Sequence, residues 1–133
     1  MAIKVVLDTN IAVSSFLSEY GNPTKIIDLF YDKKIAVYYN ENIIEEYKDV
    51  LSRKEFKISP EKIGKFINAV RRIGVYLNPP ESVIEMPDES DRIFYDTAKS
   101  AGAWLITGNI KHYPFEPFII TANIFFEKAN FII

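Results

Sequence analysis

Three acidic side chains stand where a folded chain could gather them: Asp8, Glu46 and Asp91. Asp8 directly follows Val5-Val6-Leu7, an apolar run that reads as a buried strand. A carboxylate at such a strand end is desolvated enough to need a cation or several donors. An aspartate at a strand-to-helix junction also serves as a helix cap, so Asp8 alone leaves both roles open. Glu45 and Glu46 are neighbours, but a helix turns about 100° per residue and only one can reach the inner side. Glu46 borders the stripe of Ile43, Tyr47 and Val50, while Glu45 points nearly opposite. The competing role for Glu46 is a boundary residue whose stem covers apolar surface while its head stays wet. Asp88, Asp91 and Asp96 surround the start of a later helix. Asp91 borders its Phe94, Tyr95, Ala98 and Ala101 face, Asp96 falls on the opposite side and is expected in solvent, and Asp88 reads as a cap. Acids in a first turn gain about 0.3 to 1 kcal/mol from the helix dipole, which gives Asp91 a capping alternative as well.

Three carboxylates converging in a small space repel unless a divalent ion neutralises them. The chain has no Cys and a single His, His112, which excludes thiolate and multi-histidine sites. Oxygen ligands remain, and these suit magnesium or manganese. A hard cation so held can make water acidic, orient a phosphodiester and stabilise charge on its oxygens, so phosphodiester hydrolysis is within reach of such a site.

The elements that must position these residues alternate. Ile3 to Leu7 reads as a strand covered on both faces and stops at Asp8-Thr9-Asn10; Thr24 to Tyr31 can form a helix with Ile26, Ile27 and Phe30 inward. Lys33-Lys34 turns into a strand over Ile35 to Tyr39, and Asn42 can cap a helix carrying Ile43, Ile44, Tyr47, Val50 and Leu51. The next helix has Ser59 as N-cap, Pro60 at its first position and Ile63, Phe66, Ile67 and Val70 on its buried face, and it ends at Gly74. Val75 to Leu77 is a short strand before Pro79-Pro80, Ser90 to Ala101 a helix closed by Gly102, Trp104 to Thr107 a buried strand, and Phe118 to Ile120 a last strand before a terminal helix. Such alternation predicts a three-layer α/β/α fold with a mostly parallel central sheet of about five strands joined by right-handed crossovers. Ligands in these folds bind beyond the carboxyl ends of strands, where Asp8 and Asn109 lie.

At 133 residues, with 48% apolar and 14% aromatic content, the chain suits one packed domain over residues 1–133. A net charge of -2 excludes a strongly basic coat, so a nucleic-acid surface must be a local patch. Arg53, Lys54, Lys57, Lys62, Lys65, Arg71 and Arg72 concentrate basic charge through two central helices, and Lys111 and His112 could meet phosphate near the acidic end. Charge runs and loop histidines are ordinarily just solvated. No leader or long apolar segment precedes the first strand, so a cytoplasmic protein without a membrane span is expected. Ala129 to Ile133 is apolar enough for a core plug or a partner surface.

With these residues in view, the chain resembles the PIN-domain family, specifically the toxin components of prokaryotic toxin-antitoxin pairs. The resemblance runs from Ile3 to roughly Thr121, through Val5-Val6-Leu7-Asp8-Thr9-Asn10, then Ile43-Ile44-Glu45-Glu46-Tyr47 leading to Val50-Leu51-Ser52-Arg53, then Asp88 to Asp91, then Leu105-Ile106-Thr107-Gly108-Asn109. It implies a magnesium- or manganese-dependent endoribonuclease acting on single-stranded RNA, with metal-binding and catalytic roles for Asp8, Glu46 and Asp91. It also implies an antitoxin partner and a homodimer or larger assembly. Many relatives carry a fourth acid after the Thr-Gly pair, whereas this chain has Asn109, which offers a neutral oxygen ligand and no charge. Asn10 and Thr107 are expected to orient the carboxylates by hydrogen bonds, with ordinary turn chemistry as the alternative. Arg53, Lys111 and His112 are the expected nucleic-acid contacts.

An aspartate ending an apolar strand also fits a phosphoaspartyl phosphatase, but that chemistry wants an acid two residues later and position 10 is Asn. A receiver domain would want paired acids at the preceding strand end. The stronger rival is a PIN-fold protein that binds RNA or a partner without cleavage, its site weakened by Asn109.

Overall fold

The protein is described from a computed structural model covering residues 2–129; Phe131, Ile132 and Ile133, expected as a core plug or partner surface, lie outside the described residues. The chain order is β1 (Ile3–Leu7), α1 (Thr9–Leu17), α2 (Asn22–Tyr31), β2 (Ile35–Tyr39), α3 (Glu41–Leu51), α4 (Pro60–Ile73), β3 (Val75–Tyr76), α5 (Arg92–Ala101), β4 (Trp104–Ile106), β5 (Ile119–Ile120) and α6 (Ala122–Ala129). Single 3-10 turns cover Lys54–Phe56, Glu89–Asp91 and Ile110–His112.

The five strands form one sheet in the order β3-β2-β1-β4-β5. Every pairing is parallel: Val5 lies beside Val37 on one side and Trp104 on the other, and Leu7 beside Ile106. The expected fold, three layers around a parallel sheet, is the one observed. β1 is central, and its Val5, Val6 and Leu7 are 0 to 1% exposed, as a strand covered on both faces must be. Crossovers from β1 to β2 to β3 run one way along the sheet and the crossover to β4 runs the other. Right-handedness therefore puts α1 to α4 on one face and α5 on the opposite one, where it packs across β1, β2 and β4. That reversal beside β1 opens the crevice at the carboxyl ends of β1 and β4.

The structure departs from the sequence expectations in four places. Thr9-Asn10, where the strand is expected to stop and no helix is expected, opens α1, whose Ile11, Ala12 and Val13 are all buried. This helix packs against both α2 and α3, so it is covered on two sides and carries no single-face periodicity to read. The cap of α3 is Asn40, whose side-chain oxygen accepts from the Ile43 N–H at 3.1 Å, two residues ahead of the expected Asn42. The helix expected from Ser90 begins as a 3-10 turn and becomes α-helical only at Arg92. Asp96 is buried at 7% exposure rather than solvated, because the long segment between β3 and α5 folds over that side of the helix and its Ser82 N–H donates to Asp96 at 3.0 Å.

Two glycines have steric reasons. Gly102 closes α5 in the left-handed region, φ 65°. Gly74 joins α4 to β3 where a Cβ would stand 2.4 Å from the Val70 carbonyl oxygen and 3.1 Å from that of Val37.

Candidate metal centre

β1 delivers Asp8 to the middle of the carboxyl edge, and its N–H donates to the Ile106 carbonyl at 3.0 Å, continuing the β1–β4 register by one step. The backbone of Asp8 occupies the N-cap position of α1, yet its carboxylate makes no capping bond. Instead Oδ2 accepts from the Thr107 hydroxyl at 2.8 Å and the Tyr113 hydroxyl at 2.9 Å, with Asn10 Nδ2 at 3.5 Å. Asp8 is 6% exposed, so these donors offset the loss of water around the charge. The helix-cap alternative does not hold for this residue.

Thr107 is wholly buried and serves three partners: it donates to Asp8 and accepts from the Asn109 N–H at 3.0 Å and from Asn10 Nδ2 at 3.3 Å. Asn10 Oδ1 accepts from the Gly108 N–H at 2.9 Å. The turn after β1 is thereby stitched to the loop after β4, and Asn10 and Thr107 stand where orienting groups should stand. Sequence reasoning missed Tyr113. Buried beside the charges of Asp8 and Asp91, its hydroxyl is pushed well above the ordinary tyrosine range and stays a donor. The Tyr47 hydroxyl is likewise pushed up by burial and donates to the Leu7 carbonyl at 2.6 Å, tying α3 to the end of β1. A tyrosine four residues after Asn109 and another directly after Glu46 were the available signals.

Asp91 ends the 3-10 turn at the head of α5 and also caps nothing. Its Oδ2 is buried and has no hydrogen-bond partner. Burial, then the charges of Asp8 and Asp88, push its pKa up to about 6. Glu46, half-buried on α3, is also raised, first by burial and then by Asp49, with Asp8 and Asp88 adding to the effect and Arg53 opposing it. Glu45 points to solvent and pairs with Lys48 at 3.8 Å. The charges of Asp8 and Glu46 both raise Asp91, and that of Asp8 raises Glu46, so the three expected acids lie within electrostatic reach of one another.

The tightest group of ligand-type atoms among the described residues is a different one: Asp88, Asp91 and His112 offer atoms all within 4.8 Å of one another. Asp88 does cap, as expected, but with one oxygen only, Oδ1 taking the Ser90 N–H at 3.0 Å and the Ser90 hydroxyl at 2.8 Å. Acids at positions 88 and 91 are one helical turn apart, the spacing that would have marked Asp88 as more than a cap. His112 Nδ1 lies 3.6 Å from Asp91 Oδ2, and Asn109 Nδ2 lies 3.0 Å from His112 Nε2, so Asn109 is turned toward the histidine.

Of the expected nucleic-acid contacts, Arg53 is close enough to lower the pKa of Glu46 but shares its charge with Asp49 at 3.6 Å; Lys111 and His112 are exposed beside Asn109. The basic run through α4 is partly neutralised, with Lys65 3.6 Å from Glu61 and Arg71 holding Glu41 in a two-pronged pair at 2.6 and 3.0 Å. No helix among the described residues is long and apolar enough to cross a membrane.

Comparison with known proteins places this architecture. The profile of the PIN domain matches residues 4–111. An uncharacterized protein of Methanocaldococcus jannaschii is 32% identical over 110 residues, spanning 80% of this chain and 71% of the relative. Among solved structures, a chain of the complex described as VapBC2 from Rickettsia felis bound to a DNA fragment from their promoter superposes with a TM-score of 0.54 at 17% identity, over 90% of this chain and 97% of that one. The match in sequence reaches past both β1 with Asp8 and the head of α5 with Asp91, and the chain belongs to the PIN-domain family.

Proposed function

We propose that this protein is a divalent-metal-dependent endoribonuclease acting on single-stranded RNA, with Asp8, Glu46 and Asp91 as the carboxylates that hold magnesium or manganese. PIN domains are generally nucleases, which gives the reaction class. The observation that carries the reading is the buried, unpartnered Oδ2 of Asp91, a carboxyl that burial and the neighbouring charges of Asp8, Asp88 and Glu46 hold above its ordinary pKa. Oxygen donors of this kind fit a hard divalent ion. When bound, such an ion supplies Lewis-acid chemistry, polarising a phosphoryl oxygen and making water acidic enough to attack at neutral pH. Thr107, Tyr113 and Asn10 fix Asp8 through Oδ2 and leave its other oxygen free of hydrogen bonds among the described residues. Arg53, whose charge reaches Glu46, and the exposed Lys111 and His112 would meet the RNA backbone.

The same reading extends to a toxin whose partner is an antitoxin protein, acting in the cytoplasm as a homodimer or larger assembly. Its support is the fold shared with a chain of the VapBC2 complex. The rival, a PIN-fold protein that binds RNA or a partner without cleavage, is favoured by the neutral Asn109 alone. Incubation of the protein with single-stranded RNA and manganese separates the two. Cleavage is expected, and either Asp8→Asn or Asp91→Asn should abolish it while leaving the circular dichroism spectrum intact. Equal cleavage by both variants would sink the assignment, and RNA binding without cleavage by the wild type would favour the rival.

A further inference from the structure

We infer that His112 is a nitrogen ligand of the divalent ion, binding it with Asp91 and Asp88, and that Asn109 orients the histidine ring. This rests on the metal-dependent reading above and specifies which residues of this chain complete the site. Asp91 Oδ2 is buried without a hydrogen-bond partner, and the nearest cationic or ring nitrogen is His112 Nδ1 at 3.6 Å. That distance is too long for a hydrogen bond. It fits two ligands on one ion, since at bond lengths of about 2.1 Å adjacent ligands stand about 3 Å apart and opposite ones about 4.2 Å. Asp88 completes the group, with all three ligand atoms within 4.8 Å of one another. Its Oδ1 is held by Ser90, which fixes the carboxylate and leaves Oδ2 free of hydrogen bonds among the described residues.

Asn109 has a place in this arrangement. A histidine that ligates through Nδ1 carries its proton on Nε2 and needs an acceptor there. Asn109 is that neighbour, its amide 3.0 Å from Nε2. The two ends of an amide are equal in shape, and turned over it presents Oδ1 to the Nε2 proton. The Asn109 N–H is in turn fixed by the Thr107 hydroxyl at 3.0 Å, the group that donates to Asp8. One hydrogen-bonded chain therefore runs from Asp8 through Thr107 and Asn109 to His112. A neutral residue at position 109 suits an orienting partner, and the ligand is supplied three residues later on the 3-10 turn Ile110–His112.

An imidazole ligand favours manganese, cobalt and nickel over magnesium. The test is pulsed electron paramagnetic resonance of the full metal-free chain loaded with manganese, beside calorimetric titration. The wild type should show the electron-spin-echo modulation of a directly bound nitrogen, absent in His112→Gln. His112→Ala should weaken manganese binding about tenfold and magnesium binding less than about threefold. His112 is half-exposed, so both replacements leave the fold in place. Manganese that binds, depends on Asp8 and shows no nitrogen coupling would overturn the role of His112 and leave the carboxylate site standing. No manganese binding at all would overturn both.

Discussion

At the scale of single residues, the centre is defined by what its acids do not do. Asp8 and Asp91 both occupy helix-start positions where a carboxylate ordinarily accepts backbone N–H bonds, and neither does so. Asp8 is instead held by two hydroxyls in a buried place, whereas Asp91 faces its neighbours with a bare oxygen. The cost appears in the pH dependence of the metal-free protein. The folded pKa of Asp91 is about 6 against an ordinary 3.8, so the folded state retains a proton that the unfolded chain has already released. Stability from this group is fully present below the unfolded value and is lost as pH rises through about 6. Melting measured at about pH 5 and about pH 7.5 should show Asp91→Asn gaining on the wild type at the higher pH. An identical difference at both values would show that Asp91 is not strained. The divalent ion competes with the same proton, so manganese affinity should rise across the same window.

At the scale of elements, the stretch between β3 and the Glu89–Asp91 turn holds no helix or strand, yet it is anchored. Arg92 in the first turn of α5 is 9% exposed, and its guanidinium donates to the Ser82 carbonyl and hydroxyl, each at 2.9 Å, and to the Ile84 carbonyl at 2.7 Å, while gripping Glu89 at 2.6 and 2.8 Å. Asp96, one turn further along, takes the Ser82 N–H. Arg92 thus holds the segment down and braces the Glu89–Asp91 turn that carries Asp91. Arg92→Met should cost about 2 kcal/mol, because it leaves carbonyl oxygens without their donor. Amide exchange in residues 78–86 should quicken while the β1 amides stay protected. Unchanged exchange there would mean that packing of Met86 and Ile84, not the guanidinium, anchors the segment. In the sequence, Arg92 stands among charged residues, and nothing local announces that a distant segment will fold over it.

At the scale of the whole molecule, the net charge of -2 and the paired state of the α4 basic run limit how many phosphates the protein can neutralise. Arg53 and Lys111 are the cationic contacts proposed, so about two contacts are available to a single strand. The logarithm of RNA affinity for Asp8→Asn should then fall with the logarithm of salt at a slope of about -1.4. A slope near -6 by fluorescence anisotropy would call for a broad basic surface that this arrangement lacks. The alternation of apolar runs was enough to determine the α/β class, the parallel sheet and the carboxyl-edge position of Asp8, because strand burial and crossover handedness follow from local pattern. The wheel position of Glu46 was legible for the same reason, since helical periodicity separates it from Glu45; the wheel did not separate Asp91 from Asp96, because Asp91 precedes the α-helix and Asp96 is itself buried. Helix α1 was not legible, because cover on two sides erases the one-face pattern. Nor were the burial of Asp96, the hydroxyls of Tyr113 and Tyr47 on the end of β1, and the approach of His112 to Asp88 and Asp91. Each of these is a contact between groups 14 to 105 residues apart or across a turn whose path local sequence leaves undetermined. The tertiary structure decided them, because only packing sets which side chains share a desolvated space, and desolvation turns ordinary acids and tyrosines into a site.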